Sequence, residues 1–194
     1  MGVFAMVSMI YTQNYLSLTR EALLKELRQV LSSNRYEHVL RVEAKALELA
    51  QSYGVDEEKA SIAALLHDYA KELELGKMFI YAQKYWPEER LESAGEAIWH
   101  GPAAAYLTRE KFGCKDPEIL QAIACHTTGW FHMTPLVQVI YVADYVEDGR
   151  SFPGVDKARR LAFEDLTLAV RFKMIESLRH VISRGVYVYP LSLE

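Results

Sequence analysis

Apolar residues recur along most of the chain with the spacing of amphipathic α-helices, three or four positions apart. The pattern predicts seven helices, over residues 21–31, 34–53, 57–70, 102–112, 117–125, 135–145 and 166–184. The run IAALLHDYAKEL, from Ile62 to Leu73, is rich enough in apolar residues to be typical of a buried helix. The sequence therefore predicts an all-α bundle.

The ends of these segments carry signals of their own. Asn34 with Glu37 resembles a capping box, and Asp116 and Thr134 each precede a proline at the first helical position. Glycines stand where three helices are expected to end, at Gly54, Gly113 and Gly185. Residues 148–155 form one long irregular stretch with Gly, Pro and Arg, and only residues 186–190, VYVYP, look strand-like.

The first 18 residues differ from the rest. They are apolar but lack the basic start and the cleavage site of a secretory signal, and they are too short to span a bilayer. We expect an extension over residues 1–18 followed by one domain over residues 19–194. The extension is either loosely ordered, with the natural start at Met6 or Met9, or it docks on the domain as a strand or helix.

Composition narrows the class of protein. A chain of 194 residues, 51% hydrophobic and 25% charged, is long enough for one sizeable core. The net charge of -4 and the lack of a basic run argue against wrapping of nucleic acid. Cys114 and Cys125 have neither a disulfide signature nor zinc-knuckle spacing, so we expect reduced thiols in a cytoplasmic protein that does not enter a membrane.

Charged residues interrupt two apolar helical runs. His67 and Asp68 lie inside IAALLHDYAKEL, and Asp144 lies inside VIYVADYVEDGR. A buried charge is costly unless it is paired with an opposite charge or binds a metal. A salt-bridge partner would explain either carboxylate alone, but two such residues in one small core favour a shared cause.

The shared cause that we favour is a metal centre. Adjacent helical residues point about 100° apart, so His67 and Asp68 flank a site rather than share a face. His67 would bind one ion and Asp68 would bridge to a second. Imidazole and carboxylate ligands suit Fe, Mn, Zn or Co. The expected ligands are one residue from each helix or helix end, apart from the adjacent pair: His38, His67, Asp68, His100, His126 and Asp144. The remaining histidines, His132 and His180, are excluded from this set.

These residues and their neighbours resemble a known family. The ordered histidines and aspartates resemble the HD superfamily of metal-dependent phosphohydrolases. The segments RYEHVLRV, LLHDYAKEL, HGPAAAYL, CHTTG, IYVADYVEDGRSFPGV and LAFEDL resemble its YqeK family, the symmetrical bis(5'-nucleosyl)-tetraphosphatases. The resemblance runs from about residue 19 to the C-terminus. It implies an HD-domain helical bundle with a di-iron-type centre that splits diadenosine tetraphosphate into two ADP.

The residues fit that chemistry. Two metal ions activate a water and stabilise charge on phosphate oxygens, so no serine or cysteine nucleophile is needed. Lys71, four residues after His67, is expected on the same side of the helix, where it would contact phosphate or protonate the leaving group. The alternative is a solvated lysine that pairs with Glu72 or Glu74. Asp68 and Lys71 are therefore the predicted catalytic residues.

Substrate contacts are predicted around the ligands. Hydroxyls of Thr127 and Thr128 follow His126, and a helix opening at Gly101 would offer free N–H groups to an anion. Arg150 is the best cationic candidate for a bidentate grip on phosphate, unless it belongs to a plain surface turn. A nucleobase would stack on an aromatic ring, for which the candidates are Phe152, Tyr106 and Trp130.

The sequence thus predicts a metallohydrolase that cleaves dinucleoside tetraphosphates symmetrically. Two divalent ions are expected, with iron first and Mn, Co or Zn as alternatives. The partners are then a nucleotide substrate and its ADP product, and a homodimer is compatible with the sequence. The alternatives are a mononucleotide phosphohydrolase and a nucleotide-sensing or assembly module that does not catalyse a reaction.

Overall fold

The computed structural model describes residues 9–193 of the chain. Within that range the protein forms nine α-helices and two short 3₁₀ helices, at Glu89–Ala94 and Pro190–Ser192. The α-helices are α1 Arg20–Val30, α2 Ser33–Tyr53, α3 Glu57–Leu66, α4 Leu75–Tyr85, α5 Glu96–Phe112, α6 Pro117–Cys125, α7 Pro135–Val146, α8 Val155–Glu164 and α9 Leu166–Ser183. The predicted all-α bundle is confirmed.

Helix α3 occupies the middle of the bundle. Every residue from Ala60 to Leu66 is buried, and α3 packs against α2, α5, α6 and α7. A helix that is apolar on all faces is stable only when neighbours cover it completely. Whatever follows Leu66 therefore begins in the interior of the protein.

Capping side chains explain where α2, α6 and α7 begin. The side chains of Asp116 and Thr134 accept hydrogen bonds from the first-turn N–H groups of α6 and α7, as predicted. For α2 the predicted cap was wrong. The hydroxyl of Ser32, two residues before Asn34, caps the helix. Ser32 is itself held by the carboxylate of Glu72, which accepts from its N–H and its hydroxyl at 2.6 Å each.

Two predicted helix boundaries near the site were also wrong. Helix α3 ends at Leu66 rather than at residue 70, and His67 and Asp68 lie in the turns that follow it. Helix α5 begins at Glu96 rather than at residue 102, so Pro102 lies within the helix. The sequence signal of a proline at the first helical position misplaced this start.

Helices α4 and α8 were not predicted. Helix α4 buries only Met78 and Ala82, while the buried residues of α8 are Val155 and two alanines. The apolar residues of both helices do keep helical spacing, but few of them are buried. Residues 186–190, which look strand-like in sequence, lead into the 3₁₀ helix at Pro190–Ser192 and form no strand.

The N-terminal extension predicted over residues 1–18 is described from residue 9. Residues 1–8 lie outside the described part of the chain. Tyr11 and Leu16 are buried against the core, and the Tyr11 hydroxyl lies 2.8 Å from the Ser61 hydroxyl. The backbone N–H of Thr12 donates to the carboxylate of Glu58. The domain boundary at residue 18 stays a prediction. Among the described helices, none combines the length and hydrophobicity that crossing a bilayer requires.

Candidate metal centre

Six side chains, from five helices or the turns that directly follow them, meet at the centre of the bundle. His38 lies on α2, His100 on α5 and Asp144 near the end of α7, while His67 and His126 follow the last residues of α3 and α6. Asp68 lies in the turn after α3. All four imidazoles and Asp68 are buried. The structure therefore brings together the residues that the sequence predicts as ligands.

Asp68 lies between two pairs of histidines. Its Oδ1 is 3.2 Å from His100 Nε2 and 3.7 Å from His126 Nε2. Its Oδ2 is 3.5 Å from His67 Nε2 and 3.6 Å from His38 Nε2. One carboxylate thus faces four imidazole nitrogens, two through each oxygen.

Asp144 completes one of these two groups. Its Oδ1 lies 3.3 Å from His38 Nε2 and 4.0 Å from His67 Nε2. His38, His67 and Asp144 form one set of closely spaced ligand atoms, and His67, Asp68 and His126 form another. Because the two sets share His67, and Asp68 of the second set also lies 3.6 Å from His38 of the first, this arrangement suits two neighbouring cations.

The outer nitrogen of every histidine is already held. Nδ1 of His67, His100 and His126 lies 2.6, 3.1 and 2.8 Å from the carbonyl oxygens of Ala64, Glu96 and Ile123 respectively. Nδ1 of His38 lies 3.2 Å from Glu147 Oε1. An imidazole that donates from Nδ1 presents its Nε2 lone pair to the centre, which is the usual arrangement of metal-ligating histidines.

The inner nitrogens of the four histidines are poorly paired within the protein. In the described part of the chain, Nε2 of His38 and Nε2 of His67 are buried without a hydrogen bond. Nε2 of His100 lies only 2.9 Å from Nε2 of His126. Two lone pairs this close repel each other unless a proton or a cation lies between them. The donor set therefore fits divalent cations bound by imidazole and carboxylate.

Basic side chains surround the two carboxylates. Arg35 Nη1 is 2.6 Å from Asp68 Oδ2, and Arg150 Nη2 is 2.6 Å from Asp144 Oδ1. Lys173, on α9, lies 3.4 Å from Asp144 Oδ2 and donates to the carbonyl oxygens of His126 and Tyr141. The salt-bridge explanation of the buried carboxylates is thus met as well, but it leaves the histidine nitrogens unexplained.

These charges control the protonation of the site. Burial alone would raise the pKa of Asp144, but the positive charges of Lys173 and Arg150 hold it well below its usual range. Burial would likewise raise the pKa of Glu147, but hydrogen bonds from His38, Arg41 and the Gly149 N–H lower it to about 2. Burial lowers the pKa of His126, with His100 and His67 adding to the effect. The carboxylates are therefore ionised and His126 is neutral, as metal ligands must be.

Lys71 lies beside the centre, although not on a continuous helix with His67. Its Nζ is 3.2 Å from His100 Nδ1. Burial lowers its pKa, against the opposing charge of Asp68. A lysine that gives up its proton more easily is better suited to act as an acid. Among the described residues the Lys71 ammonium forms no hydrogen bond or salt bridge with Glu72 or Glu74, whose carboxylates bind Ser32 and the N–H groups of Gly76 and Lys77.

The hydroxyl groups of Thr127 and Thr128, which follow His126, lie in different surroundings. Thr127 Oγ1 lies 3.2 Å from His126 Nε2 and 3.5 Å from His100 Nε2, so it borders the centre directly. Thr128 is buried, and its hydroxyl donates to the carbonyl oxygen of Gly129 across 2.9 Å. Of the two, Thr127 is the better placed to contact a ligand at the metal centre.

Gly101 was predicted for the wrong reason. Because α5 begins at Glu96, the N–H of Gly101 is inside the helix and is not at a free helix start. A Cβ atom at this position would lie 2.5 Å from the carbonyl oxygen of Ala124. Glycine is therefore needed for the close approach of α5 to α6, which places His100 next to His126.

The three aromatic residues predicted to stack a nucleobase differ in whether they line the cavity at the centre. Phe152 packs on Tyr145, with ring centroids 4.7 Å apart, and lines a cavity that also contains Asp144 and Arg150. Tyr106 stacks on Tyr81, and Trp130 stacks on Trp86. Neither Tyr106 nor Trp130 lines that cavity. Phe152 is therefore the candidate that lies beside the centre.

Sequence reasoning missed Lys173, Arg35 and Glu147. Lys173 carries a usable signal, because it is a single lysine on the apolar side of α9 with the buried residues Ala169 and Val170. Arg35 and Glu147 lie near predicted ligands in the sequence, but charged residues at helix ends are usually solvated. Only the structure shows that Arg35 pairs with Asp68 and that Glu147 holds Nδ1 of His38.

Comparisons with known proteins agree with this geometry. The model of the HD domain family matches residues 35–149, which include all six candidate ligands. A protein of Bacillus subtilis named symmetrical bis(5'-nucleosyl)-tetraphosphatase is 41% identical, over 89% of this chain and 93% of its own. A protein of the same name from Halalkalibacterium halodurans is 35% identical, over 91% of this chain and 94% of its own.

A solved structure has the same architecture. It comes from Clostridium acetobutylicum and is named as a predicted HD superfamily hydrolase involved in NAD metabolism. It superimposes with a TM-score of 0.84 at 35% identity, and the match covers 90% of this chain and 93% of the other. The similarity thus extends well beyond the residues of the centre.

Proposed function

The chain belongs to the HD domain family, and within it to the symmetrical bis(5'-nucleosyl)-tetraphosphatases. From this premise we propose that it hydrolyses diadenosine tetraphosphate to two molecules of ADP at a dinuclear metal centre. The observation that carries the proposal is the position of Asp68, whose two oxygens face two different pairs of histidine nitrogens.

We assign the metal ligands residue by residue. One ion would be held by His38, His67 and Asp144, and the other by His100 and His126, with Asp68 between them. Imidazole and carboxylate suit Fe, Mn, Co and Zn alike, and we place iron first because the family resemblance implies a di-iron-type centre. Bound divalent ions would activate a water molecule and neutralise charge on the phosphate oxygens.

The protein's own residues then bind and orient the tetraphosphate. Arg150, with its side chain 38% exposed, would contact phosphate through the part of its guanidinium that Asp144 leaves accessible. Thr127 would donate its hydroxyl to a phosphate oxygen next to the centre. Charge-assisted hydrogen bonds of this kind are the strong ones, and they fix orientation as well as affinity.

Lys71 is the proposed proton source for the leaving ADP. Its ammonium group lies beside His100, and burial makes loss of a proton easier. Cleavage of the central phosphoanhydride adds a water oxygen to one inner phosphorus, while the bridging oxygen leaves with the other ADP. A proton held at Lys71 Nζ would stabilise that departing oxygen.

The products test the proposal. Incubated with diadenosine tetraphosphate and Fe, Mn or Co, the protein should release ADP only, as resolved by anion-exchange chromatography. AMP together with ATP would show an asymmetric cut and overturn the assignment. A cytoplasmic location and a homodimer remain predictions from the sequence.

A further inference from the structure

Two separate cavities border the metal centre, and their chemistry differs. The first has a volume of about 360 Å³ and lies between α7, α9 and the C-terminal segment, residues 186–193. The second, of about 440 Å³, lies between the start of α2 and the loop after α7. Arg150 lines both cavities, Asp144 lines the first, and His38 lines the second. We call them the aromatic cavity and the arginine cavity.

The aromatic cavity has an apolar body and a charged end. Its body includes the side chains of Tyr141, Tyr145, Phe152 and Tyr187. Its charged end carries Arg150, Asp144 and Lys173 at the metal centre. A nucleotide has the same two parts, a flat base and a charged phosphate chain. Small-molecule sites are typically 300–1,000 Å³ and mostly apolar with a few polar groups, and aromatic side chains stack nucleobases.

The C-terminal segment forms a fixed wall of the aromatic cavity. Gly185, with φ of +62°, turns the chain at the end of α9. Tyr189 is then buried, and its hydroxyl donates to Glu88 Oε2 across 2.9 Å. This bond ties the segment to the connection between α4 and α5. The segment therefore holds Tyr187 over the cavity, although Tyr187 itself is half exposed.

The arginine cavity offers charge without a stacking surface. It is lined by Arg35, Arg41 and Arg150, together with Glu72, Glu147 and smaller polar residues. Guanidinium groups suit phosphate oxygens. In the described part of the chain, no Phe, Tyr or Trp lines this cavity. A base that entered it would gain no aromatic contact.

We propose that the aromatic cavity binds one nucleoside of the dinucleotide, while the other half is held through its phosphates alone in the arginine cavity. This inference rests on the proposed function and specifies how that site recognises its substrate. A symmetrical substrate is then recognised asymmetrically, because one base is enclosed and the other is left in solvent. The base in the aromatic cavity sets the nucleotide preference.

Filling the cavity tests the first half of the proposal. Ser177→Trp places a large side chain on the α9 wall of the aromatic cavity. Calorimetric titration of the Mn-loaded protein should show ADP binding weakened about tenfold or more, or about 1.4 kcal/mol. Binding of inorganic pyrophosphate should be retained, since it has no base. The matched control is Ser183→Trp, the same change at an exposed position of the same helix, which should bind both ligands like the wild type.

A second variant guards against misfolding. Tyr187→Ala removes one ring from the cavity without emptying the core, because this side chain is 48% exposed. It should keep the wild-type melting temperature and weaken ADP binding selectively over pyrophosphate. If both Ser177→Trp and Tyr187→Ala bind ADP with wild-type affinity, the nucleoside does not occupy the aromatic cavity.

Adenosine 5'-tetraphosphate tests the second half. Water added across the bond between its second and third phosphates yields ADP and pyrophosphate, with release of a proton. If phosphates alone hold the second half, the KM for this compound should lie within about threefold of that for diadenosine tetraphosphate. A KM at least tenfold higher would show that the second nucleoside also contributes and would overturn the asymmetry. Wild-type protein that releases no ADP from diadenosine tetraphosphate would instead refute the proposed function itself.

Discussion

The guanidinium of Arg150 is bonded to Asp144 through two of its nitrogens. Nη2 donates to Asp144 Oδ1 across 2.6 Å, and Nε donates to the carbonyl oxygen of the same residue across 2.9 Å. The residue predicted to bind phosphate is therefore anchored on a candidate metal ligand. Because Arg150 also lines both cavities, it links the centre to the proposed positions of both substrate halves.

Loss of Arg150 should weaken substrate binding more than metal binding. In Arg150→Ala, Asp144 keeps Lys173 at 3.4 Å, so metal content by mass spectrometry should stay at the wild-type level. The lost charge-assisted hydrogen bond corresponds to about 1.5–3 kcal/mol, so kcat/KM should fall roughly ten- to a hundredfold. Arg150→Lys keeps the charge but not the planar fork, so its kcat/KM should lie between those of the wild type and Arg150→Ala. Wild-type kinetics in Arg150→Ala would place this residue outside the active site.

Loss of Asp68, unlike loss of Arg150, should abolish metal binding. Its carboxylate faces Nε2 of all four histidines, so Asp68→Ala removes contacts to both proposed ions. We expect it to lose bound metal and essentially all turnover. Asp156→Ala is a fitting control, because this carboxylate is 84% exposed on α8 and pairs with Arg159 rather than with a candidate ligand. Retention of two metals per chain in Asp68→Ala would show that this carboxylate is not a bridge.

The candidate ligands could be predicted from sequence because they are anomalies. Asp68 and Asp144 interrupt apolar helical runs, where a carboxylate is costly, and both lie at the centre as expected. The helices with strong apolar periodicity, such as α6 and α9, were predicted within one residue of their observed ends. In these places the local pattern and the tertiary packing point to the same answer.

Other features depend on contacts between distant segments. Arg35 does not differ in sequence from a solvated residue until its carboxylate partner is known. Pro102 was misleading, because a proline typical of a helix start here lies within α5. The proximity of α5 to α6, and not the local sequence, explains why glycine precedes this proline.

Gly101→Ala tests that close approach. Helix propensity alone would favour alanine by about 1 kcal/mol. However, the new Cβ would lie 2.5 Å from the Ala124 carbonyl oxygen, a backbone atom that cannot rotate away. We expect a net loss of about 1–3 kcal/mol in urea unfolding, as for other overpacked sites. Gly76→Ala is the matched control, because its nearest neighbour is the flexible Glu74 side chain at 3.1 Å. If both variants are equally stable, the contact between α5 and α6 tolerates a methyl group.

Removal of metal should lower the melting temperature. The proposed ligands come from five helices or the turns that follow them, so a bound ion adds links between segments that packing, hydrogen bonds and salt bridges already hold together. A ligand present at a hundred times its Kd stabilises the folded state by about 2.7 kcal/mol. Calorimetry with and without chelator measures the shift, and Asp68→Ala should show little or none. A wild-type melt that stays unchanged after complete metal loss would indicate a peripheral site.

Lys173 should give the metal-free protein a characteristic response to pH. This lysine is buried beside Asp144, and burial lowers its pKa from 10.5 to about 8, with the charge of Arg150 adding to the effect and that of Asp144 opposing it. Between pH 8 and 10.5 the unfolded chain therefore holds a proton that the folded chain has released. A state that binds fewer protons is favoured as pH rises, so the contribution of Lys173 to the free energy of unfolding should increase across this window.

The comparison of wild type with Lys173→Met isolates that contribution. The variant should be less stable overall, because the carbonyl oxygens of His126 and Tyr141 lose their donor. Urea unfolding of both proteins in chelator at pH 7.5, 8.5 and 9.5 gives the difference in their free energies of unfolding. That difference should grow with pH by roughly 1 kcal/mol per unit above pH 8, in favour of the wild type. Tyrosines with a raised pKa, such as Tyr85 at about 12, contribute with the opposite sign only near pH 10 and above, and they are common to both proteins. A difference that stays constant over these three values would mean that Lys173 keeps its proton, and that Asp144 stabilises the ammonium more strongly than burial destabilises it.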